Sequence, residues 1–114
     1  MEELKLFGGV VNGPAFLAAE VIAACATYRD VVRVSWAHRR IKNMHRCVLA
    51  ELIGRHPQHV SDYLALDDQS HRRNLPAECL NSWACAVGNF GVQQWLARQS
   101  QLTLMEEVIA RKVA

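Results

Sequence analysis

The stretch that decides the fold reads Arg46-Cys-Val-Leu-Ala-Glu-Leu-Ile-Gly-Arg-His-Pro-Gln-His-Val-Ser-Asp-Tyr-Leu64. Leu49, Ala50 and Ile53 recur at helical spacing, with Cys47 also available to face inward. Gly54 then supplies a residue that accepts a positive φ, which ends a helix and opens a tight turn. Pro57 suits the start of a second helix, because the first turn leaves its N–H position unpaired anyway. That second helix carries Val60, Tyr63 and Leu64. Two short helices joined by a tight turn need a small residue where they cross, and Ala50 is small. They also need an aliphatic anchor on the second helix, Val60, followed by a large apolar group, Tyr63. The pattern predicts a helix-turn-helix over residues 46–64.

On either side the periodicity stays helical, so the expected fold is all-α: a compact multi-helix domain ending in a C-terminal helix. Residues 1–14 hold Gly8, Gly9, Gly13 and Pro14 and read as an irregular, flexible arm. A helix is expected from Pro14 or Ala15, with Phe16, Val21, Cys25 and Tyr28 on one side. Val31, Val34, His38 and Ile41 continue in a second segment capped by Asp30 or Ser35. Helix is favoured there over a short strand at Val31–Val34, which would have no partner. Past a polar loop from Asp67 to Asn74, Pro76 starts another helix with Cys79, Leu80, Trp83, Ala84 and Val87 as its stripe, and Gly88 stops it. Phe90 to Leu96 and Thr103 to Lys112 are expected as two further helices. The domain proper spans residues 15–100, and 101–114 is a terminal helix.

Composition narrows the function classes. The 114 residues are 51% hydrophobic and 21% charged, enough for one core and too apolar for a disordered chain. The net charge of +2 is uneven. Lys5 and Arg29 are outweighed by Glu2, Glu3, Glu20 and Asp30 at the start. Between Val31 and Arg73, eight basic residues face four acidic ones. A basic middle suits an anionic partner at one face. Cys25, Cys47, Cys79 and Cys85 show no C-x-x-C spacing and read as reduced core thiols, which places the chain in the cytoplasm. The apolar run from Ala15 to Ala26 contains Glu20 and is too short to span a bilayer, so no membrane role is expected.

Residues 31–90, and the motif in particular, resemble the lambda-repressor-like family of phage and bacterial regulators, of the Cro and repressor type. Lys42 to Gly54 looks like that family's first-helix exit and second helix, and Pro57 to Leu64 like its recognition helix. Leu75 to Leu80, followed by Ala86 to Asn89, resembles the helix that packs behind the reader. The resemblance implies a non-enzymatic helical domain, dimeric on a two-fold operator in duplex DNA, acting at the bacterial nucleoid. The chain departs from the family pattern at His56, where a Ser or Thr cap is usual. It departs again at Pro57, which displaces the usual glutamine to Gln58. The loop from Asp67 to Asn74 is also longer than usual.

Groove geometry then assigns candidate contacts. The N-terminal residues of a recognition helix meet base edges in the major groove. Gln58 is suited to adenine, His59 and Ser61 to several bases, and Asp62 either to cytosine or to repelling phosphate. Arg46 starts the preceding helix, and Arg55 and His56 lie in the turn, all three placed for phosphate. Arg72 and Arg73 would reach the flanking backbone from the loop.

Other readings are weaker. No histidine pairs with a cysteine at zinc-site spacing, so no metal or other cofactor is expected. Buried cysteines are normally inert, and no catalytic constellation is present. Trp36, Trp83 and Trp95 suit a core or an interface better than base stacking. Leu102, Met105 and Ile109 lie on one face of the last helix and suit either the core or the seam of a homodimer or higher oligomer. The alternative function is a helix-turn-helix scaffold used for protein contact, as an inhibitor or adaptor of host transcription machinery.

Overall fold

The computed structural model describes residues 4–6, 9–11, 13–67, 69 and 71–113, with side chains described for 13–67, 69, 71–102 and 104–111. The expected mobility of the arm at Met1–Glu3 and Gly8, the acidic Asp68 of the loop and the side chains of Thr103 and Lys112 lie outside these residues. The fold is all-α apart from one short strand pair. Strand β1 (Leu4–Leu6) runs antiparallel to β2 (Gly9–Val11), with Leu4 opposite Val11. The helices are α1 (Ala19–Ala23), α2 (Tyr28–Ala37), α3 (Arg46–Ile53), α4 (Pro57–Tyr63), α5 (Leu80–Val87) and α6 (Gly91–Val113), with a 3-10 turn at Ala77–Cys79 leading into α5.

The first expected helix starts at Ala19, four or five residues late. Ala15 is held extended by its N–H donating to Gly88 O (2.9 Å) and its carbonyl accepting from Phe90 N–H (2.9 Å). The Gln94 amide clasps the next link, accepting from Leu17 N–H (2.8 Å) and donating to Leu17 O (3.0 Å). Backbone groups bonded sideways in this way cannot join a helix, and Phe16 is left exposed against Phe90, ring centroids 5.3 Å apart.

Thr27, rather than Asp30 or Ser35, caps α2. Its hydroxyl accepts from Asp30 N–H (3.1 Å) while the Asp30 carboxylate accepts from Thr27 N–H (3.1 Å), a reciprocal capping box. Ser35 has a different task. It is fully buried, accepts from Trp83 Nε1 (2.9 Å) and donates to Asn89 Oδ1 (2.7 Å). Asn89 Nδ2 returns a bond to Ser35 O (3.0 Å), and Asn89 Oδ1 also accepts the N–H of Gly91 at the start of α6 (3.1 Å). This polar network ties α2, α5 and α6 together with its members satisfied.

Around it lies one apolar core built from Val31, Val32, Leu49, Ile53, Val60, Tyr63, Trp83, Val87 and Val92. Trp83 is wholly buried, while Trp36 and Trp95 are half-buried against the core. Cys25 and Cys79 are buried thiols, but Cys47 and Cys85 are exposed, against the expectation of four core cysteines. On α3 the inward arc is already filled by Leu49, Ala50 and Ile53, which turns Cys47 to solvent.

The two expected C-terminal helices are one. No Gly or Pro interrupts residues 92–113, so α6 runs 23 residues, about 34 Å. Its first half packs on α1, α2 and α5. Every described side chain from Ser100 to Arg111, apart from the undescribed Thr103, is exposed. The radius of gyration is 16.4 Å, against about 13 Å for a compact chain of this length.

Candidate nucleic-acid interface

Gly54 closes α3 with φ 69°. Arg55 N–H donates to Ala50 O (2.9 Å) and Gly54 N–H to Glu51 O (3.3 Å), the paired bonds of a Schellman ending. His56 then caps α4 by accepting Gln58 N–H on Nδ1 (3.1 Å). An imidazole nitrogen accepts only when it carries no proton, and here it takes the part that Ser or Thr plays in other helices. Pro57 follows at the first helical position. Ala50, Val60 and Tyr63 are all buried between the two helices and the core. The helix-turn-helix over 46–64 therefore has the arrangement that its spacing predicts.

The candidate contact residues divide into two groups. Arg46, His56 and Gln58 are exposed, and His59 and Ser61 are half-buried. Gln58 and Ser61, three apart, share the outer side of α4. His59 lies at its edge with its ring 5.7 Å from that of His56. Arg46 opens α3 and makes no side-chain hydrogen bond or ion pair with a described residue.

The other group is engaged within the protein. Arg55 forms an ion pair with Glu78, and its Nε donates to Cys79 Sγ (3.0 Å), turning the guanidinium toward the 3-10 turn. Asp62 overturns the expectation that it faces a ligand. It is 6% exposed, with its carboxylate held between Arg72 Nη1 (3.1 Å) and Arg73 Nη1 (3.0 Å). Arg72 also pairs with Asp67 (2.9 Å). A carboxylate so nearly buried has to be paired, and the two loop arginines do this instead of extending toward a backbone. The Arg72 hydrogen bond, assisted by Arg73 and opposed in part by burial, holds the Asp62 carboxyl below the usual range. The same Arg72 contact lowers Asp67.

Sequence reasoning missed the residues that fix the far end of α4. Arg29 Nη2 donates to the carbonyls of Asp62 (2.7 Å) and Ala65 (3.1 Å), and Arg33 Nη1 donates to Ala65 O (2.8 Å). Their i, i+4 spacing on α2 was a visible signal, but their targets lie more than thirty residues away. Arg39 and Arg40 likewise serve carbonyls, those of Lys42 (2.6 Å) and Gly13 (2.6 Å), and Arg39 also covers the Trp36 ring at 4.2 Å.

Next to this surface Ile41, Leu52, Cys85 and Ala86, with the polar Asn81 and Ser82, line a shallow groove, and Val48 is exposed one turn before Leu52. Among the described residues no three His, Cys, Asp or Glu side chains are grouped to share a metal ion. No helix among them is long and apolar enough to cross a membrane. Compared with family models, with curated proteins and with solved structures, the chain matches none.

Proposed function

We propose that this chain is a sequence-specific reader of duplex DNA that regulates transcription in the manner of phage regulators, with α4 as the helix that enters the major groove. The observation that carries the reading is the outer side of α4. Gln58 and Ser61 stand together there, on a helix whose start is fixed by His56 and Pro57 and whose end is clamped by Arg29 and Arg33. A short helix with an amide and a hydroxyl outward, joined by a tight turn to a helix that opens on the exposed cation Arg46, is what base readout with phosphate anchoring requires. With Asp62 paired inside the fold, the face keeps no carboxylate from α4 to repel phosphate. The resemblance of residues 31–90 to lambda-repressor-like regulators points the same way. Nothing in the arrangement calls for catalysis.

The test is to select bound sequences from a random duplex library and then titrate the selected site against salt. Binding should weaken with a log–log slope near −0.9 for each phosphate engaged. Gln58→Ala should lower discrimination at one base position by about 1–3 kcal/mol and leave non-specific affinity in place. No duplex binding at low salt would overturn the reading.

A second reading, a scaffold that docks on a protein such as host transcription machinery, is favoured by the largely apolar groove in which Ile41, Leu52 and Cys85 lie beside Asn81 and Ser82. Leu52→Ser, which removes the apolar side chain without adding charge, separates the two. It leaves DNA binding intact under the first reading and abolishes partner binding under the second.

A further inference from the structure

We propose that the outer half of α6 is covered by a second copy of this chain, the two copies pairing about a two-fold axis through the row Leu102, Leu104, Met105, Val108 and Ile109. This inference stands apart from the DNA reading and does not depend on it. From Ser100 onward every described side chain of α6 is exposed. About 12 residues of helix standing alone in water are marginal even for favourable sequences, so this half needs packing that its own body does not supply.

The surface is suited to packing. Leu102, Met105 and Ile109 make one row, and Leu104 and Val108 the adjoining one. At 100° per residue the two rows cover roughly 160° of the helix circumference. These five side chains are 44% to 61% exposed. At an order of 100 Å² each they leave about 500 Å² of apolar surface, as large as the largest patch on an ordinary monomer. Two copies would remove about 1,000 Å² from water, which reaches the lower end of specific interfaces. A two-fold axis sets the same rows against each other, so no second kind of surface is needed.

Charge argues for a copy over other occupants. From Ser100 to Val113 the charged residues of the sequence are Glu106, Glu107, Arg111 and Lys112, two of each sign, and Arg111 already pairs with Glu107 on its own helix (2.8 Å). A balanced polar side gives no attraction to an anionic lipid surface, which selects for Lys and Arg. It gives no net repulsion between two copies either.

The test is sedimentation velocity on the whole chain from low-micromolar to several hundred micromolar, with Leu104→Glu and Ile109→Glu as variants. The expected result is a concentration-dependent dimer that each variant weakens more than tenfold. At concentrations where the wild type is monomeric the thermal unfolding of the body should not move, because neither side chain is part of the core. A chain that stays monomeric throughout, or variants that dimerise as the wild type does, would overturn the proposal. So would a monomer that pellets with phosphatidylcholine–phosphatidylglycerol vesicles through these same residues, which would assign the face to lipid.

Discussion

Arg29 Nη2 donates to the backbone carbonyl of Asp62 at 2.7 Å, so a side chain of α2 adds a charged donor to a carbonyl in the last turn of α4, which also accepts from Ala65 N–H (3.3 Å). The last four carbonyls of any helix have no partner inside it, and α4 has only seven residues. The same guanidinium reaches Ala65 O (3.1 Å) and Arg73 O (2.9 Å), binding helix and following loop to one anchor. Arg29→Met should cost about 2 kcal/mol in a urea titration, the scale of losing hydrogen bonds from a charged donor. Arg29→Lys should recover less than half, because one ammonium cannot span carbonyls on both sides of the loop.

The carboxylates around this anchor set the response to acid. Asp62 and Asp67 are held low by Arg72, and Asp30 by Arg33 with help from the amides of Thr27 and Ala26. Each folded value lies below the unfolded one, so their contribution is complete above the ordinary carboxylate range. It is lost as the pH falls through about 4 and below. Thermal melts should therefore hold level at neutral pH and drop on the acid side. Asp62→Asn should melt lower than wild type at neutral pH and show a shallower acid drop. A variant that keeps the full acid drop would remove Asp62 from this account.

Gly54 and Gly88 both sit at positive φ, 69° and 82°, yet they should respond differently to alanine. A Cβ at Gly54 meets nothing within 4 Å, so Gly54→Ala carries the backbone penalty alone, about 1 kcal/mol. At Gly88 the new Cβ comes within 2.9 Å of Arg40 Cβ. Arg40 cannot easily retreat, since its N–H donates to Val87 O (2.8 Å) and its guanidinium to Gly13 O (2.6 Å). Gly88→Ala should cost about 2–4 kcal/mol. Comparable urea midpoints for the two variants would contradict the close approach of Arg40.

The helix-turn-helix was legible because its determinants are local. Ala50, Gly54, Pro57, Val60 and Tyr63 act within one or two turns of each other, and their spacing alone states the geometry. The start of α1 was not legible, because Ala15 and Leu17 are held by Gly88, Phe90 and Gln94, more than seventy residues away. Asp62 was misplaced for a related reason. On α4 alone it looks outward, and only the return of the loop bearing Arg72 and Arg73 closes over it. The continuity of α6 was available in the sequence, which has no breaker between Val92 and Val113, but the change of apolar face near Gln99 reads as a boundary. Arginines were the hardest to place. A long side chain seeking a carbonyl leaves no periodic trace.

Arg55 offers the sharpest test of whether this surface meets phosphate. It lies in the turn between α3 and α4, where a phosphate contact belongs, but Glu78 holds its guanidinium. Glu78 is well exposed, with 72% of its side chain accessible, so the pair is worth little in water and its loss should leave stability nearly unchanged. Glu78→Gln removes the competing charge and keeps the shape. If α3 and α4 dock on duplex DNA, the variant should bind more tightly at low salt, and its log–log salt slope should steepen by about 0.9, one added phosphate. Arg55→Gln in the same background should return the slope to its starting value. Arg46→Ala should make the slope shallower by a similar amount in either background, because Arg46 acts at the other end of the surface. An unchanged slope in Glu78→Gln would mean that Arg55 serves only the 3-10 turn and Cys79, leaving Arg46 to carry the electrostatic contact.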